Sequence, residues 1–248
     1  MSERRSRRSA FSALLTALLR MDLRNQAYAG ATGAKADELI PPLYWVVGQI
    51  LTTSLLLSLM LFGRVSAWFF AWAELSTTMI VVFSAVVVEF NEIVLNPADS
   101  EVIGHRPVRG ATYAAARLAN LGAYVALMFV ATTIFPTILG AALLDGGVAF
   151  AARYLLASGL VNVGTAAAVV LLYTLLGAGK VLDRARTLLA WIQILAILAV
   201  FYGAQLMLRA GDGSVETFAA EPPAWARWLP TYPLADAVAG GGLAALAL

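Results

Sequence analysis

The segment of this sequence that comes closest to a known chemical motif is GAGKV, residues 177–181. A phosphate-binding loop has the form GxxxxGK followed by Ser or Thr, because its glycines let backbone N–H groups approach the phosphates and its hydroxyl group binds magnesium. Here Thr174 occupies the position of the leading glycine, and Val181 occupies that of the hydroxyl residue. The sequence therefore predicts no ATP site in this chain.

The other reactive residue types do not form a catalytic or metal-binding set. The chain has no cysteine and one histidine, His105, which follows Asp99 and Glu101 in a polar segment. One imidazole on a loop does not supply the closed shell of ligands that a structural zinc site needs. A single histidine also disfavours a Ser-His-Asp hydrolase. We predict a non-catalytic chain with no cofactor or metal of its own.

Ionisable residues inside the apolar runs are few. Glu74 could line a cavity, but the neighbouring Trp68 and Trp72 favour a carboxylate that reaches the membrane interface. Proton- and ion-driven carriers usually contain a buried relay or ion site. The scarcity of such residues therefore argues against a carrier of that kind.

Two carboxylates close the second apolar run, one helical turn apart. Glu89 and Glu92 face the same way on a helix, and this spacing could hold Arg106 or Arg117 in a structural ion pair. An equally good interpretation is that both carboxylates are solvated at the end of the helix. Amide side chains in the runs are predicted to bridge helices through hydrogen bonds: Gln49, Asn120, Asn162, Gln193 and Gln205.

The elements that carry these residues are predicted to be membrane-spanning helices. The sequence is 60% hydrophobic and only 13% charged, and it contains several apolar runs of about 20 residues, which a bilayer accommodates and a water-soluble core does not. Backbone groups in lipid must bond internally, so each run should be helical. We predict an all-α, polytopic bundle in one domain, residues 1–248, with a cytoplasmic leader over 1–40 and the bundle over 43–248.

The apolar runs predict about six spans, at 43–62, 69–89, 114–144, 154–177, 188–208 and from near 230. The third run is too long for one straight span, and Pro136 is the expected position of a kink or a short outer helix. The last run reaches Leu248 without a polar end. We expect the natural chain to continue, or this truncated span to pair with another chain.

The distribution of basic residues predicts the orientation. Counted over alternate connections, 13 Lys and Arg residues fall on the side of the N-terminus and 4 on the other side. Because positive residues are retained in the cytoplasm, the N-terminus, the segment 91–112 and the connection 178–187 should be cytoplasmic. Tryptophans at the predicted outer ends agree with this: Trp68, Trp72, Trp225 and Trp228.

The basic N-terminus has three interpretations. SRRSAFSALL looks like a twin-arginine export signal, but Arg20, Asp22 and Arg24 interrupt its apolar stretch after about nine residues. A disordered basic leader is a second interpretation. Helical spacing favours the third, an amphipathic helix on the inner membrane surface. Its apolar stripe would consist of Phe11, Leu14, Leu15, Leu18 and Leu19.

The polar connection between the second and third spans has the signals of a short helix. Asn96 is a good N-cap, and Pro97 suits the first helical position, where its missing N–H costs nothing. Asp99 and Glu101 favour the positive end of the helix dipole, and Gly104 supplies a stop. These signals predict a helix of about two turns.

Two turns are not stable alone in water, because nucleation costs more than so few bonds return. Val102 and Ile103 could rest on the bilayer, but the acidic Asp99 and Glu101 are poor partners for anionic headgroups. A groove on a protein partner is the more economical support.

The basic amphipathic N-terminus, the first hairpin of spans and the segment NPADSEVIGHRPVRGATYAAARL together resemble the permease subunits of ABC-2 type ABC transporters. The resemblance covers most of the chain, with its most specific part at 89–118. It implies a coupling helix that docks on an ATP-binding subunit, formed by Asn96, Pro97, Asp99, Glu101, Val102 and Ile103. It also implies short outer helices within 221–236.

The resemblance further implies an exporter of the bacterial plasma membrane, in which ATP and magnesium bind the partner ATPase. The expected partners are that ATPase, a second permease copy or homologous subunit, and the lipid bilayer. The net charge of +2 is too small to indicate a nucleic acid. A self-contained polytopic protein, such as a secondary carrier or a membrane anchor of an enzyme complex, is the alternative.

Overall fold

The computed structural model describes residues 16, 42–62, 65–95, 110–143, 147–176, 187–195, 198 and 224–240. The helices are α1, Pro42–Leu61; α2, Ala67–Leu95; α3, Gly110–Leu143; α4, Gly147–Leu176; and α5, Thr231–Ala239. A 3-10 helix, Ala224–Trp228, precedes α5, and residues 187–195 are also helical. Every regular element in these ranges is a helix, which confirms the predicted all-α class.

Within these described ranges, three helices are long and apolar enough to cross a membrane, over Ala67–Val87, Gly110–Ala142 and Gly147–Leu175. α2 has 29 residues and α3 has 34, so they are roughly 44 and 51 Å long, against about 30 Å of hydrocarbon in a bilayer. In α1, the apolar part Val46–Leu61 is shorter. The chain is thus a helical bundle of the membrane-spanning type, and the total of six spans stays a prediction.

The buried side chains form two clusters, one towards each end of the bundle. The first, which we call the tryptophan end, joins the C-terminal end of α1, the N-terminal parts of α2 and α4, the 3-10 helix and α5. The second, the opposite end, joins the later part of α2 to the earlier part of α3 and the later part of α4. Consecutive helices therefore run antiparallel, as alternating membrane crossings require.

The boundary of α4 differs from the prediction. The fourth span was expected to start at 154, but α4 begins at Gly147, seven residues earlier. Gly147 has a positive φ of 47°, which glycine adopts without a steric penalty and which suits a tight turn. The following VAFAA run continues the helix because its apolar side chains can pack on a neighbour.

Pro136 does not begin a separate outer helix, since α3 continues through this residue to Leu143, and the kink expected there stays a prediction. A proline in a membrane helix removes one backbone hydrogen bond, and neighbouring helices and hydroxyl side chains can compensate for the loss. α3 packs along much of its length on α1 and α4, which supports an uninterrupted helix.

The last predicted span is not one continuous helix within the described residues. α5 begins at Thr231, close to the expected position, but it ends after nine residues at Gly240, whose φ of 106° is left-handed and whose N–H bonds to the Asp236 carbonyl. Nine residues are too few to cross a bilayer. α5 and the 3-10 helix instead form short helices largely within 221–236, where the resemblance had led us to expect them.

Candidate functional site

The predicted coupling helix lies outside the described residues. This applies to all six of its proposed contact residues, Asn96, Pro97, Asp99, Glu101, Val102 and Ile103, and to Arg106. The structure does describe the two helices that the segment connects. α2 ends at Leu95 and α3 begins at Gly110, and the two helices pack against each other at the opposite end of the bundle. The segment therefore joins two neighbouring helices at one end.

The carboxylates near this connection lie on α2. Glu89 and Glu92 belong to its last two turns, and their side chains are outside the described residues. Arg117 lies on α3, where its Nε donates a hydrogen bond of 2.9 Å to the Tyr113 hydroxyl. Its guanidinium carbon also lies 5.2 Å from the centre of the Tyr113 ring. The ion pair with Glu89 or Glu92 stays a prediction.

Glu74 is deeply buried, and its predicted place at the interface is wrong. Only 1% of its surface is exposed. The Ser58 hydroxyl on α1 donates a hydrogen bond of 2.6 Å to Glu74 Oε1 on α2. Because α2 begins at Ala67, Glu74 lies two turns into the helix rather than at its end.

Two more hydroxyl residues border the Glu74 carboxylate, and both are buried. Thr78 follows on the same face of α2, and Tyr154 comes from α4 with no exposed surface. The Tyr154 hydroxyl lies beside Thr78 and within electrostatic reach of Glu74, but it makes no hydrogen bond with good geometry. We call Ser58, Glu74, Thr78 and Tyr154 the buried acid cluster.

Aromatic rings pack around this end of the bundle. The rings of Trp68 and Trp72 stack with their centres 6.0 Å apart. Trp225 of the 3-10 helix lies 6.1 Å from Trp72, and Tyr232 of α5 lies 5.2 Å from Trp68. Trp72 and Tyr154 belong to one continuous hydrophobic cluster. These rings help to separate the buried acid cluster from water.

Hydroxyl groups link the described helices. Thr133 on α3 and Ser158 on α4 share a hydrogen bond of 2.8 Å, and Ser54 on α1 donates one of 3.2 Å to the Thr132 carbonyl. Asn162 was expected to bridge helices, but its amide nitrogen bonds to the Ser158 carbonyl on its own helix at 2.8 Å. The interhelical role assigned to Asn162 was therefore wrong.

The sequence prediction missed this polar network because Ser and Thr are compatible with apolar helices and give no distinct signal. One spacing could have revealed the acid cluster. Glu74 and Thr78 are four residues apart, so they share a helix face within an apolar run. A carboxylate there is a functional candidate because placing an ionisable side chain inside a membrane helix costs free energy.

Two apolar grooves lie on the surface of the bundle. One has a volume of about 700 Å³ and runs between α3 and α4, where its lining includes Gly122, Phe129 and Val163. The other, of about 610 Å³, has walls from α2, α4 and the helical stretch 187–195, with Phe83 and Ile192 among them. Both are suited to acyl chains or other apolar groups rather than to a charged ligand.

Comparison of the chain with protein families, with curated proteins and with solved structures gives no match. Within the described ranges, no group of three or more His, Asp or Glu side chains is close enough to hold a metal ion. The candidate sites are therefore the connection between α2 and α3, known from its sequence, and the buried acid cluster, known from its geometry.

Proposed function

We propose that this chain is the membrane-spanning permease subunit of an ABC-2 type exporter in the bacterial plasma membrane. In this proposal a separate ATPase subunit binds ATP and magnesium, and a second permease copy or a homologous subunit completes the transport path. The energy reaches this chain through the coupling helix at about 96–103.

The observation that carries the proposal is the connection between α2 and α3. Its sequence has the caps and charges of a short helix that needs outside support, and it joins two neighbouring long helices at one end of the bundle. Since α2 and α3 are each longer than the hydrocarbon core is thick, their linked ends can extend into the cytoplasm. A partner that grips the connection would then contact both helices at once.

Motion of the ATPase would act on the bundle through these two helices. ATP binding draws two ATPase subunits together, and each would carry its coupling helix with it. α2 contacts α1, α3, α4 and α5, so a displacement of its cytoplasmic end changes packing throughout the described bundle. This is a rigid-body route for switching access from one side of the membrane to the other.

The apolar grooves agree with a lipophilic or amphipathic cargo. The side chains that line them are almost entirely aliphatic or aromatic, with Asn162 and Thr174 as polar members of the groove between α3 and α4. Such a surface offers little to a hydrophilic ion. The class of cargo remains part of the proposal.

Co-purification tests this function. The tagged full chain is extracted from its native membrane in mild detergent, and the proteins retained with it are identified by mass spectrometry. We expect an ATPase with a complete phosphate-binding loop, and ATP hydrolysis by the complex. Lys180→Ala is the control, because GAGKV is not expected to bind ATP, and it should leave hydrolysis unchanged. An isolated chain that hydrolyses ATP, with activity lost in this variant, would contradict the proposal.

One observation favours the alternative of a self-contained carrier. The buried Glu74 supplies the ionisable residue that such carriers require and that the sequence had placed at the interface. The two functions differ in their energy source. Vesicles that contain only this chain should not accumulate substrate under an ion gradient if the exporter proposal holds, and gradient-driven accumulation would favour the carrier.

A further inference from the structure

The Glu74 carboxyl group is buried, and no described cation balances its charge. The Ser58 hydroxyl donates a hydrogen bond of 2.6 Å to its Oε1. No ion pair joins Glu74 to a described Lys or Arg side chain. A buried carboxylate with one donor and no counter-ion is strongly unfavourable, because the desolvation cost is not repaid.

The described side chains of the helices around Glu74 do not bring a charge to it. The part of α1 whose side chains are described, residues 46–61, contains no ionisable side chain. On α4, Arg153 turns away, since its guanidinium donates hydrogen bonds to the Ala149 and Val238 carbonyls. α5 contributes Tyr232, whose ring packs on Trp68.

Among the other described residues near this end, Asp236 of α5 and Arg227 of the 3-10 helix are ionisable, and neither forms an ion pair with Glu74. The group that interacts with Glu74 electrostatically is the Tyr154 hydroxyl. Tyr154 is fully buried and lacks a hydrogen bond of good geometry. The cluster thus combines a buried carboxyl group without a described counter-ion and a buried hydroxyl group without a hydrogen bond of good geometry.

We propose that Glu74 is a proton-binding site, and that one bound proton completes the buried acid cluster when the tryptophan end is closed. The neutral carboxyl group accepts a hydrogen bond from Ser58 through Oε1. Through the protonated Oε2 it donates towards the Tyr154 hydroxyl, which can in turn donate to Thr78. One proton removes the net charge of the carboxylate and lets it donate a hydrogen bond to the Tyr154 hydroxyl.

The proton links three helices, because Ser58 lies on α1, Glu74 and Thr78 on α2, and Tyr154 on α4. If the tryptophan end separates and admits water, the carboxyl group becomes hydrated and releases its proton to water. Closure requires one proton from the same side. Opening of this end is therefore coupled to the release of one proton, and low pH favours the closed form. This site does not depend on the proposed ATPase.

Infrared spectroscopy of the full chain in lipid nanodiscs tests the proposal at neutral pH. A protonated carboxyl group has a carbonyl stretching band that an ionised carboxylate lacks. We expect such a band in the wild type and its loss in Glu74→Gln. Asp236→Asn is the matched control, since it removes a carboxyl group from the same end, and it should retain the band. A wild-type spectrum without a band sensitive to Glu74→Gln would overturn the proposal.

A second pair of variants keeps the carboxyl group and tests the geometry. Ser58→Ala removes the donor to Oε1, and Tyr154→Phe removes the acceptor for the proton. Each should shift the Glu74 band to higher frequency, because weaker hydrogen bonding strengthens the carbonyl bond. Loss of the band in Glu74→Gln without a shift in either variant would show that the proton sits elsewhere, and this would overturn the cluster as the site. The band shifts in Ser58→Ala and Tyr154→Phe can be measured even if Glu74→Gln folds poorly, because both variants keep the carboxyl group.

Discussion

α3 packs tightly on α4 at Gly140, and an alanine there should destabilise the bundle. Gly140 is buried on α3, and a Cβ added to it would overlap the ring of Phe150 at Cε1 and Cζ. Phe150 is 2% exposed and packs between Phe70 and Tyr154. The ring has little room to move, so either the ring or the helix must shift.

The steric cost can be separated from the gain in helix propensity. Overpacking of a core costs about 1–3 kcal/mol, whereas Gly to Ala within a helix gains up to about 1 kcal/mol. Gly122 lies on the same helix, and an added Cβ there would have no neighbour within 4 Å. Gly140→Ala should therefore be less stable than Gly122→Ala by about 1–3 kcal/mol, since the propensity gain is common to both.

Unfolding of the purified protein in detergent, followed by helical circular dichroism, measures this difference. The double variant Gly140→Ala with Phe150→Leu should lose less stability than the sum of its single variants, because the smaller side chain relieves the overlap. Equal stability of Gly140→Ala and Gly122→Ala would refute the close contact between α3 and α4. An additive double variant would refute Phe150 as its partner.

Three further predictions concern the hydrogen bonds and the orientation. Thr133→Val should cost about 0.6–1.7 kcal/mol in the same unfolding assay, because it removes a bond between helices, whereas Thr137→Val should be neutral or stabilising because that hydroxyl has no described partner. Arg153→Met should speed amide exchange in α5 about tenfold, since a bond from a charged donor contributes about 1.5 kcal/mol or more; unchanged exchange would contradict its role. In intact cells, Trp228→Cys, at a position 88% exposed, should react with an impermeant thiol reagent and Ser100→Cys should not; the reverse would overturn the orientation.

The sequence predicted the helices well where one long apolar run corresponds to one helix. The start of α1 at Pro42 and the end of α3 at Leu143 each lie within one residue of the predicted bound. The start of α4 was predicted seven residues late, directly after Arg153. In the structure this side chain reaches the Val238 carbonyl of α5. That contact depends on a residue 85 positions away in the chain, so local sequence could not predict it.

The candidate sites were predictable to different degrees. The connection between α2 and α3 was identified from local capping and charge signals, which need no tertiary information. The burial of Glu74 was missed because it depends on Ser58 and Tyr154, which other helices bring to it. Neighbouring tryptophans suggested an interface, but in the structure their rings pack with Trp225 and Tyr232 and help to cover the site.

The central claim is that residues 96–103 bind an ATPase subunit, and the affinity of that complex for a variant in this segment tests it most directly. Burial of two aliphatic side chains contributes roughly 1.5–3 kcal/mol each, less ordering costs, so Val102→Ser with Ile103→Ser should weaken binding by about 100-fold or more. Asp99→Asn with Glu101→Gln is the control, with a smaller effect that depends on salt. Weaker ATPase binding with an unchanged unfolding midpoint of the isolated subunit is the predicted result. Unchanged binding, with a destabilised subunit, would contradict the claim and make this segment an internal packing element.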